Sequence, residues 1–144
     1  MKPGEKVLSL EANQAWAKRI YKKLLVVIPD LWEISEYGKS RVEGYGDLNL
    51  GVLVVAEGYW RIALSHYWKH DSGDMIPDPD MEIGVYREWE MAEALTYQDM
   101  YQYNDVYSGP DGQADRRYYL HCNAFLEKWL EALAEQGHLL RKEK

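Results

Sequence analysis

A strand-rich middle between two amphipathic helical segments is the feature that most constrains how this chain can fold. Over residues 32–107, short runs of β-forming residues are broken by Gly, Pro, Asn and Asp, which is typical of an antiparallel meander. Strand and helix patterns do not alternate, which disfavours a parallel sheet with crossover helices. The sequence therefore predicts an α+β fold, in which an antiparallel β-sheet over about residues 33–107 is covered by an N-terminal and a C-terminal helix.

The clearest predicted strand covers residues 60–69. Its alternation places an apolar set on one face and a mixed set on the other, with His66 on the apolar face and Tyr67 on the mixed face. Four further runs, over residues 51–56, 81–86, 92–97 and 101–107, predict neighbouring strands. We expect a sheet of about four to five strands.

Two segments carry apolar residues at helical spacing. The first is predicted over about residues 9–28, with Ser9 as its N-cap and Pro29 as its end. The second is predicted over about residues 115–136, beginning near Asp115 and followed by Gly137, a residue type common just past a helix C-terminus. At 144 residues, 47% of them apolar, the chain is expected to form a single domain over residues 1–144.

Acidic charge is concentrated in the middle of the chain. The net charge is −7, and residues 49–115 alone hold 13 acidic against 3 basic side chains. Such a surface repels phosphate groups, so direct nucleic-acid binding is not expected, whereas a basic protein would be attracted. The sequence contains one cysteine and no apolar run long enough to span a membrane, which favours a cytoplasmic protein without a membrane partner.

Residues 66–82, here called the acidic segment, form the densest polar region. Clustered carboxylates are the ligands that Ca²⁺ and Mg²⁺ prefer, but an EF-hand loop starting at Asp78 would need Gly and Glu where Ile83 and Trp89 stand. Asp side chains also accept hydrogen bonds from backbone N–H groups in turns, so a structural turn is favoured and no metal ligand is assigned. The candidate binding residues in this segment are His66, Tyr67, Asp74, Asp78, Asp80 and Glu82.

Residues 97–107, here called the Tyr/Asp run, alternate tyrosines with carboxylates. An extended conformation would place them on one face, and such a face makes an adhesive surface for protein contacts. The favoured alternative is that the tyrosines pack under the helices and that a turn near Gln102 interrupts the run. The candidate binding residues in this run are Tyr97, Asp99, Tyr101, Tyr103 and Asp105.

Local signatures of common catalytic sites are missing from the sequence. It contains no Gly-x-Ser-x-Gly elbow, no phosphate-binding Gly-rich loop and no Cys-x-x-Cys pair. Cys122 follows His121, but adjacent helical residues point in different directions and Cys122 falls in the apolar stripe of its helix, so a buried thiol is expected. No catalytic residue and no cofactor is predicted.

Parts of the sequence resemble a known family. The letters SHYW at 65–68, SGDM at 72–75 and DPDM at 78–81 resemble the S-H-Y-Y, N-G-D-L-M and D-P-E-M box of small bacterial domains of unknown function found on conjugative elements and phages. The likeness covers about residues 50–138 and departs mildly at Trp68, Ser72 and Asp80. The chain is also distantly similar to the YqiB-like family of unknown function. The resemblance implies a fold and a mobile-element setting, but no activity and no site residues.

Three function hypotheses remain from the sequence. The leading one is a non-enzymatic accessory factor, in the setting of a mobile element, that binds an unidentified protein partner. The alternative is a metal-dependent hydrolase or small-ligand-binding domain that uses the acidic segment. The third is a structural subunit that forms a homo-oligomer through exposed Tyr and Trp side chains.

Overall fold

Six strands and two α-helices position the candidate site in this structure, a computed structural model that describes residues 13–69 and 71–142. The α+β class with an antiparallel sheet is confirmed. Short 3-10 turns lie at Leu31–Glu33 and Pro110–Gly112. In chain order the elements are α1 (Gln14–Val27), β1 (Tyr37–Ser40), β2 (Leu48–Ala56), β3 (Tyr59–Lys69), β4 (Met75–Tyr86), β5 (Met91–Gln98), β6 (Tyr103–Asp105) and α2 (Arg116–Glu135).

The sheet is a meander in which each strand pairs antiparallel with the next one in the chain. Tight hairpin turns connect its long central strands. Gly58 in the β2–β3 turn has a φ of 75°, and Gly73 in the β3–β4 turn has a φ of 95°. Glycine adopts this left-handed conformation without the steric cost that a Cβ atom brings, so these two residues allow the chain to reverse within a few residues.

The strand count exceeds the predicted four to five because β1 gives no signal of its own. Its four residues, Tyr37–Ser40, include a glycine and are too few to establish an alternating pattern. The strand forms by pairing with β2, with Lys39 opposite Asn49. Such pairing is a tertiary contact that a local pattern does not reveal.

The turn predicted within the acidic segment is wrong for most of that segment. The hairpin turn lies at residues 71–73, and β4 already begins at Met75, so Asp78, Asp80 and Glu82 belong to a strand. Cross-strand pairing with β3 explains the difference, because Asp80 lies opposite Ser65 in the ladder. Long-range hydrogen bonds of this kind override the local turn preference of Asp and Pro.

A turn interrupts the Tyr/Asp run, so the run does not present a single extended face. β5 ends at Gln98 and β6 covers only Tyr103–Asp105. Between them Asp99 donates its backbone N–H to the carbonyl of Gln102 at 3.0 Å. The interruption near Gln102 that the sequence favoured is therefore confirmed. The accompanying expectation that the tyrosines pack under the helices holds for Tyr97, which packs against Phe125, and is wrong for Tyr101 and Tyr103, which are exposed because they lie in the turn and on the edge strand.

Helix α2 has the predicted bounds to within one residue. The Asp115 side chain accepts a hydrogen bond from the Tyr118 N–H at 3.1 Å and caps its start, while Gly137 beyond its end has a φ of 94°. The start predicted for the first helix, including Ser9, lies outside the described residues. Neither α1 nor α2 is both long enough and apolar enough to cross a membrane.

Both helices pack on one face of the sheet and enclose the core with it. Ile62 and Leu64 of β3 are fully buried there, as the alternation in β3 predicts, and Cys122 is confirmed as a buried free thiol. Within residues 13–69 and 71–142, no α-helix packs on the opposite face, which is here called the uncovered face. The largest fully buried side chains of the core are Ile20, Leu24, Ile28, Leu31, Leu48, Leu50, Ile62, Leu64, Met81, Ile83, Leu126 and Leu130.

Candidate functional site

The uncovered face brings together candidate residues from both predicted regions. Directly opposite residues of an antiparallel pair lie on the same face of a sheet, so the register defines rows that cross the strands. One row consists of Lys39, Asn49, Ser65, Asp80, Gln98 and Tyr103. The next row consists of Tyr37, Gly51, Ala63, Glu82, Thr96 and Asp105.

These rows place the acidic segment beside the Tyr/Asp run. Asp80 and Tyr103 share the first row with Gln98 between them, and Glu82 and Asp105 share the second with Thr96 between them. Tyr103 and Asp105 are exposed, while Asp80 and Glu82 are partly buried. The face therefore presents three carboxylates and two tyrosines, Tyr37 and Tyr103, over two neighbouring rows.

Hydrogen bonds hold the acidic side chains of this face in place. The Tyr67 hydroxyl donates to Asp80 Oδ2 at 3.1 Å, and the Arg61 Nε donates to Glu82 Oε1 at 2.7 Å. Burial raises the pKa of the Asp80 carboxyl and the nearby Glu82 charge adds to this, while the hydrogen bond from Tyr67 opposes it. The arrangement is ordered in advance of binding, which lowers the conformational entropy that a partner must remove.

A shallow depression of about 430 Å³ lies on the same face, over β1 to β4. Its lining combines small residues, among them Gly51, Ala63 and Ser65, with the rings of Tyr37 and Tyr67. The small residues lower the floor and the aromatic rings form the sides. The shape is open and suits a contact with a chain segment better than it suits enclosure of a small molecule.

Other candidate residues have structural roles in turns. Asp99 accepts hydrogen bonds from the backbone N–H groups of Tyr101 and Gln102 and from the Tyr97 hydroxyl. Burial acts to raise the pKa of Asp99, but these hydrogen bonds outweigh it and lower the pKa. Asp74 accepts a hydrogen bond from the Ser72 hydroxyl at 3.2 Å in the β3–β4 turn.

Three further candidates, Tyr97, Tyr101 and Asp78, lie outside the two rows of the uncovered face. Tyr97 points under α2, where its ring centroid lies 5.1 Å from that of Phe125. Tyr101 is 88% exposed at the tip of its turn. Asp78 is exposed where the β3–β4 register shifts.

His66 lies on the helix-covered side, beside a second histidine that the sequence reasoning missed. The rings of His66 and His138 have centroids 5.3 Å apart, and Trp129 contacts His66 at 5.9 Å. The Nδ1 of His138 hydrogen-bonds with the Ser40 hydroxyl at 3.0 Å. No local pattern marks His138, because it follows the end of α2 and reaches His66 only through the tertiary fold.

The surroundings of both histidines favour the neutral imidazole. Burial lowers the pKa of each ring, and the mutual proximity lowers that of His66 further, while the carboxylates of Asp47 and Asp78 partly oppose the shift. Within residues 13–69 and 71–142, no group of three or more His, Cys, Asp or Glu side chains is arranged to hold a metal ion.

A cavity of about 420 Å³ beside α2 contains Cys122 and His121. Burial raises the pKa of the Cys122 thiol to about 11. The thiolate, which is the nucleophilic form, is therefore scarce at neutral pH. This cavity does not present an activated cysteine.

Comparison with known proteins gives one match. A family model described as "Protein of unknown function (DUF1249)" matches residues 23–139. The matched range runs from within α1 to just beyond His138 and includes every strand of the sheet. No curated protein and no solved structure matches the chain.

Proposed function

The chain belongs to the DUF1249 family, a family of unknown function, and we propose from its uncovered face that the protein is a non-enzymatic binding module. The module holds a basic segment of another protein against this face. The partner is defined by its chemistry, as an extended segment rich in Lys or Arg. The observation that carries the proposal is that Asp80 and Glu82 share two neighbouring rows with Tyr103 and Asp105, on a face that neither helix covers.

Charge supports a basic occupant. Asp80, Glu82 and Asp105 contribute three carboxylates to the two rows, and the Arg61 guanidinium beside them is already paired with Glu82. Lys39 lies at the far edge, on β1, within 3.9 Å of Asp47. Because Arg61 already neutralises Glu82, a basic segment would gain Coulomb attraction chiefly from Asp80 and Asp105, which would repel a nucleic acid or an acidic segment.

Tyrosine side chains supply the second element of recognition. Tyr37 and Tyr103 are 59% and 57% exposed on opposite edges of the sheet. A tyrosine contributes a large contact area and a hydroxyl while losing little rotamer entropy, which is why tyrosines are enriched at protein contacts. The two rings therefore frame the acidic centre of the face.

The proposal includes a cytoplasmic location. Because residues 65–81 resemble domains found on mobile elements, it also includes the role of an accessory factor of such an element. The buried free thiol of Cys122 suits a reducing compartment. A homo-oligomer built on the uncovered face is disfavoured, because two copies would bring like charges together.

The proposal is tested by titrating the protein with a fluorescent peptide of alternating Lys and Ser. Six strands about 4.8 Å apart make the face roughly 25 Å wide, so an extended peptide of about eight residues is long enough to cross it, and the same length laid along β4 reaches from Asp80 to the β4–β5 turn. We expect saturable binding that weakens when salt rises from about 50 to about 300 mM, because screening reduces the attraction. A Glu/Ser peptide of the same length is the charge control.

Matched variants assign the binding to the face. Asp80→Asn/Glu82→Gln removes two charges from it, and Asp111→Asn/Glu131→Gln removes two charges elsewhere. We expect about a tenfold loss of affinity in the first variant and almost none in the second. Two binding results would overturn the proposal: no saturable binding, or equal losses of affinity in the two variants. A third such result would be a dimer of the wild type, measured by light scattering, that Asp80→Asn/Glu82→Gln converts to a monomer, because the face would then be an interface between two copies.

A further inference from the structure

Three aromatic rings cluster at the end of the uncovered face where two hairpin turns meet. Tyr59 and Tyr86 lie opposite each other on β3 and β4, with ring centroids 5.0 Å apart. Trp89, in the β4–β5 turn, stacks on Tyr86 at 5.4 Å with an interplanar angle of 18°. Trp89 is 59% exposed, so part of its surface is open to a ligand.

A cavity of about 300 Å³, here called the aromatic pocket, is formed by these rings and the two turns. Its lining consists of Glu57, Gly58, Tyr59, Tyr86, Glu88 and Trp89. The Arg87 N–H donates to the Gly58 carbonyl at 3.0 Å and ties the two turns together. The pocket therefore has walls from two hairpins that are joined by a backbone hydrogen bond.

None of the residues that line the aromatic pocket is basic. The nearest guanidinium in the sequence, that of Arg87, lies over the Trp32 ring, 5.3 Å from its centroid. Arg61, also on the uncovered face, is paired with Glu82. Glu57 and Glu88 thus line the pocket. The neighbouring guanidinium groups of Arg61 and Arg87 instead interact with Glu82 and with the Trp32 ring.

Support beneath the pocket fixes the rings. The Tyr86 hydroxyl donates to Glu93 Oε2 at 3.0 Å, and Glu93, which is only 3% exposed, also accepts a hydrogen bond from the Tyr107 hydroxyl. A Cβ atom at Gly84 would come within 3.3 Å of the Tyr59 ring, so this glycine leaves the space that the ring occupies. The pocket is therefore supported by packing and by hydrogen bonds, which is what a preorganised site requires.

Aromatic faces and carboxylates together select a particular kind of ligand. The face of an aromatic ring carries partial negative charge and attracts cations, most strongly at tryptophan. Carboxylates add charge, and organic cations lose less hydration on entering such a site than small metal ions do. We propose that the aromatic pocket receives the ammonium group of a lysine side chain from the basic segment, an inference that rests on the proposed function.

The position of the pocket matches this role. Tyr86 and Glu82 lie on the same face of β4 and are four residues apart, about 13 Å along the strand. An extended segment of about four residues covers that distance. A peptide held by the carboxylates of the face can therefore place one lysine in the aromatic pocket.

The first experiment uses the same Lys/Ser peptide with variants of the pocket. Trp89→Leu removes the most exposed ring, and Tyr101→Leu, at a side chain that is 88% exposed in another turn, is its control. We expect Trp89→Leu to weaken peptide binding about tenfold and Tyr101→Leu to leave it within about twofold. Unchanged binding in Trp89→Leu, together with loss in Asp80→Asn/Glu82→Gln, would overturn the pocket inference and leave the proposed function standing.

The second experiment separates a lysine on a protein from a free ammonium ligand. Tetramethylammonium and 2,2-dimethylpropan-1-ol, a neutral alcohol of similar bulk, are titrated while the indole N–H signal of Trp89 is followed by NMR. A shift with tetramethylammonium alone, with weaker peptide binding when one lysine is replaced by norleucine, supports the inference. A tetramethylammonium shift without any peptide binding would overturn the proposed function and identify a site for free organic cations. The pocket inference itself would be overturned if neither probe shifted the signal.

Discussion

The imidazole rings of His66 and His138 lie with their centroids 5.3 Å apart, and in the described part of the chain the Nε2 atom of each ring is buried without a hydrogen-bond partner. Two protonated rings at this distance would repel each other in a poorly solvated place. The neutral form of both rings is therefore favoured in the folded protein. The histidine pair joins the segment that follows α2 to the sheet, so protonation of either ring would lower the stability of the fold.

Acidification is predicted to destabilise the protein through these two histidines. Their folded pKa values are lowered by burial, so the unfolded chain binds protons more readily as the pH falls below about 6.5. Stability is thus highest above that pH and declines below it, by up to about 1.4 kcal/mol per pH unit for each ring. Urea unfolding between pH 8 and pH 5 measures the slope.

A variant isolates this contribution from that of the carboxyl groups. Burial raises the pKa of Glu93, which acts in the opposite direction because its protonated form is favoured in the folded state. Comparison with His66→Gln/His138→Gln removes this background. The slope should be smaller in the double variant, and an equal slope in both proteins would contradict the assignment.

Asn123 is predicted to be the polar side chain whose loss costs most stability. Its Oδ1 accepts a hydrogen bond from the Ala94 N–H at 2.8 Å and its Nδ2 donates to the Tyr119 carbonyl at 2.9 Å, with 2% of the residue exposed. Asn123→Ala leaves the buried Ala94 N–H without a partner, which costs about 1–3 kcal/mol. Chemical denaturation measures the loss, and Asn104→Ala on the edge strand should cost clearly less.

Glu127 is predicted to hold α1 against α2 electrostatically. It accepts hydrogen bonds from the Arg19 Nε at 3.0 Å, from the Lys23 Nζ at 2.7 Å and from the Trp16 Nε1 at 3.1 Å. The Arg19 hydrogen bond is the main reason that its pKa is lowered to about 2. Glu127→Gln should lower the free energy of unfolding by about 1 kcal/mol at pH 7, because it removes the charge that these donors share.

Salt and pH separate this electrostatic effect from a packing effect. The lowered pKa means that the contribution of Glu127 is complete above about pH 4.5 and is lost as the pH falls toward 2. The difference between wild type and Glu127→Gln should also shrink in about 1 M NaCl. The control is Glu131→Gln, whose side chain is 49% exposed and pairs with Lys23 at 2.6 Å, and it should have the smaller effect.

The Cys122 thiol is predicted to be unreactive in the folded protein. Only 2% of the residue is exposed, and burial raises the thiol pKa to about 11. Iodoacetamide reacts with the thiolate, so alkylation at pH 8 should be slow until denaturant is added. The control Cys122→Ala/Ala124→Cys moves the thiol to an exposed position of α2, and rapid labelling of the wild type would contradict the prediction.

Elements with strong local signals are well predicted from the sequence. The bounds of α2 follow from Asp115 at its start and Gly137 past its end, since a capping side chain and a glycine act on the nearest turn alone. The face of β3 that carries Ile62 and Leu64 follows from alternation, because successive side chains of a strand point to opposite sides.

Other features depend on contacts between distant parts of the chain. Strand β1 forms only because β2 pairs with it, and the start of β4 at Met75 depends on pairing with β3. His138 could not be identified from the sequence, since nothing near it in the chain indicates that it meets His66. The aromatic pocket was missed for the same reason, because its walls come from two separate hairpins.

The sequence by itself determined the order of helix, strands and helix, the acidic middle and the residue types available for binding. The tertiary structure alone decided which of those residues meet. Local periodicity reflects interactions within a few residues, whereas the register that aligns Asp80 with Tyr103 and Glu82 with Asp105 depends on the packing of all six strands. A shift of one residue in that register would have moved these side chains to opposite faces, and the candidate site would not exist.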